Sequence, residues 1–480
     1  MGIKWRLVLS LGLGAVLLLP ASFRAGAGSA LADTSPQIAP VATFYAPDGV
    51  VGDGFGFSMA LSADGSTALI GASHANEAGI SNVGKAYIYT RSNGVWPTNP
   101  TAIFIDPALR PGDQFGGTVV LSADGATALL NGYEILYVYS RINGDWSSAP
   151  TVVLNDPDPN DGSALGDGFG GTAISADGDT ILASAAYATV NGVSGAGKVY
   201  VFAQSNGSWS PTPMAVFTDP GAVTDESFGS IVALSADGTV ALVGTASLWS
   251  PGRALIFTKV NGLWNTTPVA TFDLPGNSSQ IFGSGALSAN GKVALIGSTG
   301  VDNSLGAVFV YTEQNGAWPT IPSVLFNAPP GQDMFGMGVT LSGNGAIAAV
   351  PDLNMYFYAQ AGGSWLTNPV TVLSAEPPAA NFCGGYEFQS VALSFDGSEA
   401  LIGAPEMPWG TIQPPPPPGC VNNGAVGRAY IYASSDGWMN PSLAPSPTTN
   451  SNSSSGSGAI GWLSVILLVT LLTWSKYFRH

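Results

Sequence analysis

The feature that most constrains this chain is a five-residue sequence, LSADG, that recurs along its length. It begins at Leu61 and again at Leu121, and close variants follow at intervals of 52 to 60 residues. The serines of the copies are Ser62, Ser122, Ser175, Ser235, Ser288, Ser342 and Ser394. Seven copies at nearly regular spacing indicate a repeat protein in which one structural unit is used seven times.

Each repeat contains four short segments that are typical of β-strands. They are rich in β-branched or aromatic residues, and in the first repeat they span 55–61, 67–72, 85–90 and 101–106. Asp64-Gly65 and Asn93-Gly94 supply tight turns between strands, because glycine accepts the positive φ of such turns. A tryptophan follows the second turn, at Trp96, Trp146, Trp209, Trp264 and Trp318, with weaker copies of the pattern at Trp365 and Trp438.

Seven four-stranded units predict a seven-bladed β-propeller, which is an all-β fold. An outer-strand sequence such as TAIFIDP follows each of the first six units, whereas the last unit ends without one. The missing copy, VATFYAP, lies at 41–47, ahead of the first unit. We therefore predict a propeller over 41–440 whose N-terminal strand completes the last blade and closes the ring.

The openings of six blades share a Phe-Gly dipeptide, at Phe55-Gly56, Phe115-Gly116, Phe169-Gly170, Phe228-Gly229, Phe282-Gly283 and Phe335-Gly336. Strand sequences such as TALIGAS and VALVGTA follow, and the last blade has Phe388-Gln389 instead. Together these motifs resemble FG-GAP repeats, the units of the integrin α-chain propeller and of many bacterial secreted proteins. The resemblance covers about 41–440 and implies a binding or adhesion module for an extracellular protein or a glycan.

Charge and residue types argue against several classes of function. The 31 acidic and 14 basic residues give a net charge of −17, which disfavours nucleic acid as a partner. The S-A-D-G-S-T sequence does not match the Asp-box of sialidases, because its glycine comes one residue early. A Ser/His/Asp set would depend on His74, since the other histidine is His480. The sequence therefore does not predict an enzyme. An extracellular enzyme with unrecognised chemistry and a passive envelope protein are the alternatives.

Many FG-GAP blades bind calcium through a DxDxDG loop, and that resemblance suggests a metal. Here the corresponding S-A-D-G turn supplies at most one carboxylate, whereas Ca²⁺ prefers about six to eight oxygen ligands. No cofactor is therefore predicted for the blades. One acidic segment remains as a candidate calcium loop, with Asp156, Asp158, Asn160 and Asp161 as ligands. The alternative is an acidic surface loop.

The N-terminal end has the composition of a targeting segment. Basic residues precede an apolar run, and small residues end at Ala32, so residues 1–32 are predicted to form a secretory signal helix. The body of the chain is therefore expected to be exported. In an exported protein, the only two cysteines, Cys383 and Cys420, are expected to form a disulfide.

The C-terminal end predicts a membrane anchor. Residues 441–458 form a Ser/Pro/Gly linker, 459–475 a short transmembrane helix, and 476–480 a basic cytoplasmic tail. This tail also resembles bacterial GlyGly-type sorting signals, which are cut by a rhomboid-type protease. The expected location is a cell surface or the outer side of a membrane, with release after cleavage as the second outcome.

The loops that join second to third strands have unequal lengths, which points to a binding surface. They span 73–84 in blade one, 186–197 in blade three and 405–427 in blade seven, but only 131–134 in blade two. Extra loop length is a common sign of function. Blades seven and one are neighbours in a closed ring, so we predict a binding ridge formed by Trp409, Glu406, His74, Asn76 and Glu77.

Overall fold

The chain forms a ring of seven antiparallel sheets in a computed structural model. The structure describes residues 38–159, 167–246, 252–273, 282–299, 305–330, 335–352, 354–374, 390–405, 427–434 and 438. Within these ranges, no helix has the length and apolar character needed to cross a membrane. The predicted signal helix 1–32 and the predicted anchor 459–475 lie outside them.

Each sheet is one blade, with four main strands that run from the ring axis outward. The innermost strands are β2 (Met59–Leu61), β6 (Val119–Leu121), β11 (Phe169–Ile174), β16 (Ile231–Leu234), β21 (Phe282–Leu287), β25 (Thr340–Leu341) and β30 (Ser390–Leu393). The second strands are β3 (Thr67–Ala72), β7 (Thr127–Gly132), β12 (Thr180–Ala185), β17 (Val240–Gly244), β22 (Val293–Ser298), β26 (Ile347–Pro351) and β31 (Glu399–Ala404).

The third strands are β4 (Lys85–Thr90), β8 (Ile135–Ile142), β13 (Lys198–Ser205), β18 (Arg253–Val260), β23 (Ala307–Thr312), β27 (Asn354–Ala361) and β32 (Arg428–Ala433). The outer strands are β5 (Ala102–Ile105), β10 (Val152–Asn155), β15 (Ala215–Phe217), β20 (Ala270–Asp273), β24 (Val324–Asn327), β29 (Thr371–Ser374) and β1 (Ala42–Tyr45). Four blades add a two-residue strand at the tryptophan: β9 (Asp145–Trp146), β14 (Ser208–Trp209), β19 (Leu263–Trp264) and β28 (Ser364–Trp365).

Blade one shows how closely the sequence pattern specifies these strands. The predicted strands 67–72 and 85–90 match β3 and β4, and both are almost wholly buried because neighbouring blades cover both faces. The predicted first strand, 55–61, is too long, since β2 begins only at Met59. Gly54 and Gly56 have φ values of +71° and +91°, so the chain turns there instead of running extended.

The N-terminal strand closes the ring as predicted. In β1, Ala42 pairs with Ile431 and Tyr45 with Arg428, so β1 is the antiparallel outer strand of blade seven. Contacts between inner strands continue from blade to blade around the ring and include β2 with β30. Asp48, just after β1, accepts hydrogen bonds from Lys85 Nζ at 2.6 Å and Tyr87 Oη at 2.8 Å. The closing strand is thus joined to blade seven by its backbone and to blade one by side chains.

The repeated tryptophans pack between blades. In blade one, the Trp96 ring meets Phe44 of the preceding outer strand edge-on at 5.2 Å, and Tyr89 lies 4.5 Å from the same phenylalanine. Equivalent aromatic triads are Phe104, Tyr139 and Trp146; Phe217, Phe257 and Trp264; Phe272, Tyr311 and Trp318; and Phe326, Tyr358 and Trp365. Offset and edge-on aromatic pairs add stability beyond area burial. Phe44 therefore gives the closing strand the same aromatic contacts with the next blade that these other outer strands make.

The LSADG sequence is a hairpin turn held by its own side chains. Ser62 is buried, its hydroxyl donates to Asp64 Oδ1 at 2.6 Å, and its Oγ accepts the Thr67 N–H at 2.9 Å. Gly65 has a φ of +67°, which completes the turn. The same serine hydroxyl bond to the aspartate or asparagine two residues on occurs in all seven blades. The recurring serine, acid or amide, and glycine therefore each have a structural cause.

The same turns also bond to one another around the ring axis. The Ala63 N–H donates to Ala123 O at 2.8 Å, and the Phe395 N–H donates to Ala63 O at 2.8 Å. Further bonds of 2.8 to 2.9 Å join Ala176 to Ala236, Ala236 to Ala289, Ala289 to Gly343, and Asn344 to Phe395. We call this set of backbone hydrogen bonds the turn belt. It crosses the blade seven to blade one junction and so contributes to closure.

Candidate functional site

The two ends of the propeller differ in what they are built from. Because the strands of a blade alternate in direction, the LSADG turns and the tryptophan turns emerge at one end, which we call the turn face. The loops between second and third strands, and the connections between blades, emerge at the other end, which we call the loop face. The turn belt lies on the turn face. The loops of unequal length, between second and third strands, lie on the loop face.

The blade-one loop, 73–84, has a defined structure. Glu77 and Ile80 exchange backbone hydrogen bonds of 2.8 and 3.1 Å, which makes a small hairpin with Ala78 and Gly79 at its exposed tip. Asn76 Oδ1 accepts the Asn82 N–H at 2.9 Å and holds the base of this hairpin. Hydrogen bonds at its base therefore hold the tip in one conformation.

The connection that leads into blade two supports this loop. The N–H groups of Gly112, Gln114 and Phe115 donate to the carbonyls of Ser81, Asn82 and Val83 at 3.0 to 3.2 Å. Gly84 permits the approach, because a Cβ there would lie 2.2 Å from the carbonyl oxygen of Phe115. The N–H of the opening phenylalanine likewise docks blades four and six onto the loops of the blades before them, since Phe228 bonds to Ala196 O and Phe335 to Leu305 O at 3.0 and 3.1 Å.

The blade-three loop, 186–197, repeats this arrangement. Val190 and Val193 exchange backbone hydrogen bonds of 2.9 and 3.1 Å around a tip of Asn191 and Gly192. The following connection docks in the same way, since the Phe228 N–H donates to Ala196 O at 3.0 Å. Blades one and three therefore present two equivalent, rigid hairpin tips on the loop face.

Blade two lies between them and has a short turn in place of a hairpin tip. The Glu134 carboxylate accepts the N–H groups of Gly168 at 3.2 Å and Phe169 at 2.9 Å. A side chain thus takes the place of a loop carbonyl in accepting the N–H of the blade-opening phenylalanine. Tyr133 is fixed on the other side, because its N–H donates to Asp113 Oδ1 at 3.0 Å. Its side chain is 45% exposed.

Charged pairs join neighbouring blades across the loop face. An acid after one blade's outer strand pairs with a base at the start of the next blade's third strand. The pairs are Asp48 with Lys85 at 2.6 Å, Asp158 with Lys198 at 2.9 Å, and Asp219 with Arg253 at 2.8 Å. The two lysines, Lys85 and Lys198, are buried, and Arg253 is half-buried. These ion pairs are structural, since each charge meets its opposite across a blade junction.

A second acid accompanies the Asp219–Arg253 pair. Glu226 is 1% exposed and accepts the Val223 N–H at 2.9 Å. Burial, reinforced by the neighbouring Asp219, raises the pKa of Glu226 to about 7. Asp113, in the equivalent position before blade two, also has a raised pKa because it is buried. The Glu226 carboxyl therefore changes its protonation near neutral pH.

The predicted ridge residues of blade one have different environments. His74 is half-buried, its Nδ1 lies 3.1 Å from Ser73 Oγ, and burial lowers its pKa. Glu77 is half-buried and bonded to Lys85 at 2.7 Å, whereas Asn76 is exposed. Blade one therefore offers Asn76 and the hairpin tip for contact. Trp409 and Glu406, the blade-seven half of the ridge, lie outside the described residues.

The candidate calcium loop is described only in part. Asp156 Oδ1 accepts the Asp158 N–H at 2.9 Å, and Asp158 Oδ2 contacts the Lys198 ammonium. Asn160 and Asp161 lie beyond the described range, as do Cys383 and Cys420, so the calcium loop and the disulfide stay predictions. Across the described ranges, no three His, Cys, Asp or Glu side chains are grouped closely enough to hold a metal ion.

Comparison with protein families agrees with the fold at the start of the ring. The family model described as the FG-GAP repeat matches residues 39–89. This part of the chain is similar to an FG-GAP repeat. The match includes the closing strand β1 and the first three strands of the FG-GAP-like blade one, and the ring is the seven-bladed propeller that the repeat predicts. The chain matches none of the curated proteins to which it was compared.

Sequence reasoning did not identify the blade-two turn as part of a candidate site. Its only signal was the shortness of NGYE against the loops on either side. Tyr133, Glu134 and Asp113 gain their roles from residues of neighbouring blades, which the repeat pattern alone does not bring together.

Proposed function

We propose that the protein is an exported binding module that recognises a protein or a glycan through its loop face. The signal-like N-terminus and the apolar, sorting-like C-terminus support display on the outer side of a bacterial membrane, with or without later release. The FG-GAP-like propeller is a fold that suits binding, since a rigid ring presents loops from several blades on one surface. Its role is therefore recognition rather than catalysis.

One observation carries this proposal: rigid hairpin tips occur on the loop face, whereas the LSADG turns of the turn face hold the ring together. The tips at Ala78-Gly79 and Asn191-Gly192 are exposed and are held by hydrogen bonds at their bases. Because the ring does not need these tips to turn the chain, as the blade-two turn shows, their length has another cause. Partner contact is the one we propose.

A pair of matched variants tests this proposal. Ala78→Arg adds a long side chain at the loop-face tip of blade one, and Val95→Arg adds the same side chain at an exposed turn-face position of that blade. We expect Ala78→Arg to lower capture of a partner from surface extracts at least fivefold, and Val95→Arg to leave it unchanged. Capture that survives Ala78→Arg and fails with Val95→Arg would assign recognition to the turn face.

A further inference from the structure

The most exposed large hydrophobic side chains of the described residues share one location, the outer edge of the turn face. The six with the greatest exposure, 59–74%, are Leu263, Ile321, Val95, Val260, Ile142 and Val41. Five of them belong to the tryptophan turns, which follow the third strands. Val41 begins the closing strand at the same end, since its N–H donates to Ile431 O at 2.7 Å. We call this edge, formed by the tryptophan turns and Val41, the rim.

The rim is also almost without charge. The tryptophan turns of blades one to six, each taken as ten residues, span 92–101, 142–151, 205–214, 260–269, 314–323 and 361–370. Asp145 is the one charged residue in these segments, whereas charged residues make up 9% of the whole chain. The other positions are apolar, Gly, Pro, Ser, Thr, Asn or Gln. Exposed apolar groups among neutral polar ones are typical of a surface that contacts a protein or a membrane.

The rim is fixed to the ring blade by blade. In five blades the tryptophan of the turn packs edge-on against the outer-strand phenylalanine of the preceding blade, at 5.2 to 5.7 Å. The turn of blade one is closed by two backbone hydrogen bonds of 3.0 Å between Ser92 and Val95. The exposed aliphatic groups therefore stand at set positions around one end of the ring.

The centre of the turn face has a different chemistry. The LSADG-type turns around the axis carry five exposed aspartates, Asp64, Asp124, Asp177, Asp237 and Asp396. Two copies of the ring that met turn face to turn face would bring these carboxylates together, and repulsion between like charges opposes such a contact. The same carboxylates oppose contact with a strongly anionic membrane. The charges therefore favour an uncharged or zwitterionic surface.

The described chain also ends at this face. Trp438 is buried, and its Nε1 donates to the carbonyl of Gly397, in the blade-seven turn, at 2.6 Å. The predicted linker 441–458 and the predicted anchor 459–475 follow in the sequence. A flexible linker of 18 residues has a root-mean-square length of roughly 25 Å. An anchor that follows such a linker would keep the turn face, rather than the loop face, close to a bilayer.

We propose that the rim rests on the surface of a lipid bilayer of low net charge, with its aliphatic tips among the headgroups and the loop face turned away from the membrane. This inference rests on the anchored display of the proposed function, and it adds the orientation that presents the loop face to a partner. Single aliphatic side chains spread from blade to blade lack the contiguous apolar centre of a protein interface. Each of them can enter a headgroup region separately.

The test uses the full-length chain, held by its own C-terminal segment in phosphatidylcholine nanodiscs that contain a spin-labelled lipid. A fluorescent amino acid replaces Ile142 or Ile321 on the rim or, as the matched control, Val50, which is 54% exposed on the loop face. The spin label quenches fluorophores close to the lipid. We expect quenching of at least twofold at positions 142 and 321, and less than a tenth of the signal lost at position 50.

Charged substitutions on the rim separate docking from tethering by the linker. Leu263→Asp combined with Ile321→Asp should at least halve the quenching at position 142, whereas Val50→Asp should leave it unchanged. Replacing half of the phosphatidylcholine with phosphatidylglycerol should weaken the quenching as well, because the central aspartates then face anionic lipid. Unchanged melting of the variants would show that the ring stays folded.

Four results would overturn this inference. Equal quenching at positions 50 and 142 would show that no side of the ring faces the bilayer. Quenching at position 142 that survives the double substitution would show that the linker alone brings the ring near the lipid. An absence of quenching, together with a dimer that the double substitution dissociates, would assign the rim to a second copy. A chain that does not stay with the nanodiscs would refute the anchored display itself. The loop-face proposal is scored separately, by partner capture with Ala78→Arg.

Discussion

The turn face and the loop face of the same ring follow different rules. On the turn face every blade repeats the same serine hydroxyl bond, and backbone bonds such as Ala63 to Ala123 join successive blades. On the loop face adjacent blades differ, since blade one has a rigid hairpin tip and blade two a short turn. The difference teaches that uniform sequence in this chain marks closure of the ring, whereas variation marks the surface that we propose for recognition.

The largest expected effect is on stability and concerns β1, the strand that closes the ring. Phe44→Ala removes a buried ring that contacts both Tyr89 and Trp96, so we expect a loss of about 3–5 kcal/mol in the free energy of unfolding. Tyr45→Ala is the matched control on the same strand, because its side chain is exposed, and it should cost less than about 1 kcal/mol. Urea unfolding measures both. Equal costs would show that β1 does not close the ring through the aromatic junction.

The loop face also carries buried charged groups that stabilise the ring, and the titration of Glu226, beside the Asp219–Arg253 pair, tests how far the two faces differ. The pKa of Glu226 is raised to about 7 from 4.5, so its folded state holds the proton more tightly than the unfolded state. This contribution to stability is complete below pH about 4.5 and is lost as the pH rises through about 7.

Glu226→Gln should remove this pH dependence. The glutamine resembles the protonated acid, so the variant should lack a destabilisation on the order of 3 kcal/mol that the unaltered chain acquires between pH 4.5 and 8. Melting curves at several pH values for both chains give the comparison. Parallel stability profiles would show that Glu226 does not titrate in that range.

Two serines of blade one, Ser62 on the turn face and Ser81 on the loop face, sharpen the comparison of the faces. Ser62→Ala leaves the Thr67 N–H without its Oγ acceptor in a buried turn, so we expect a loss of about 1–3 kcal/mol with no change in partner binding. Ser81→Ala alters an exposed side chain on the loop face, and its effect on stability should be within about 0.5 kcal/mol. A stability cost at Ser81 as large as that at Ser62 would remove the distinction between the faces.

The smallest expected stability effects belong to Ala78→Arg and Val95→Arg. Both positions are exposed, so each change should shift the free energy of unfolding by no more than about 0.5 kcal/mol. Thermal unfolding of the two variants checks this. A large loss in Ala78→Arg would mean that its loss of partner capture reports unfolding rather than contact.

Much of the fold followed from the sequence because strand and turn signals are local. Residues 67–72 and 85–90 became strands with the predicted bounds, and the displaced outer strand at 41–47 located the closure. The turn belt and the tryptophan junctions did not follow, because they join residues of different repeats whose meeting depends on the ring geometry. The candidate site was harder to predict for the same reason. The blade-two turn is held by bonds from Asp113 to Tyr133 and from Glu134 to the blade-three opening, and these partners come from other repeats.

The central claim is that partners contact the loop face and not the turn face. Its most direct test places a photo-crosslinking residue at position 78 or 191 on the loop face, or at position 95 or 263 on the turn face, of the full-length chain. After illumination with surface extracts, we expect crosslinks from positions 78 and 191 and background levels from 95 and 263. Crosslinks confined to positions 95 and 263 would contradict the account.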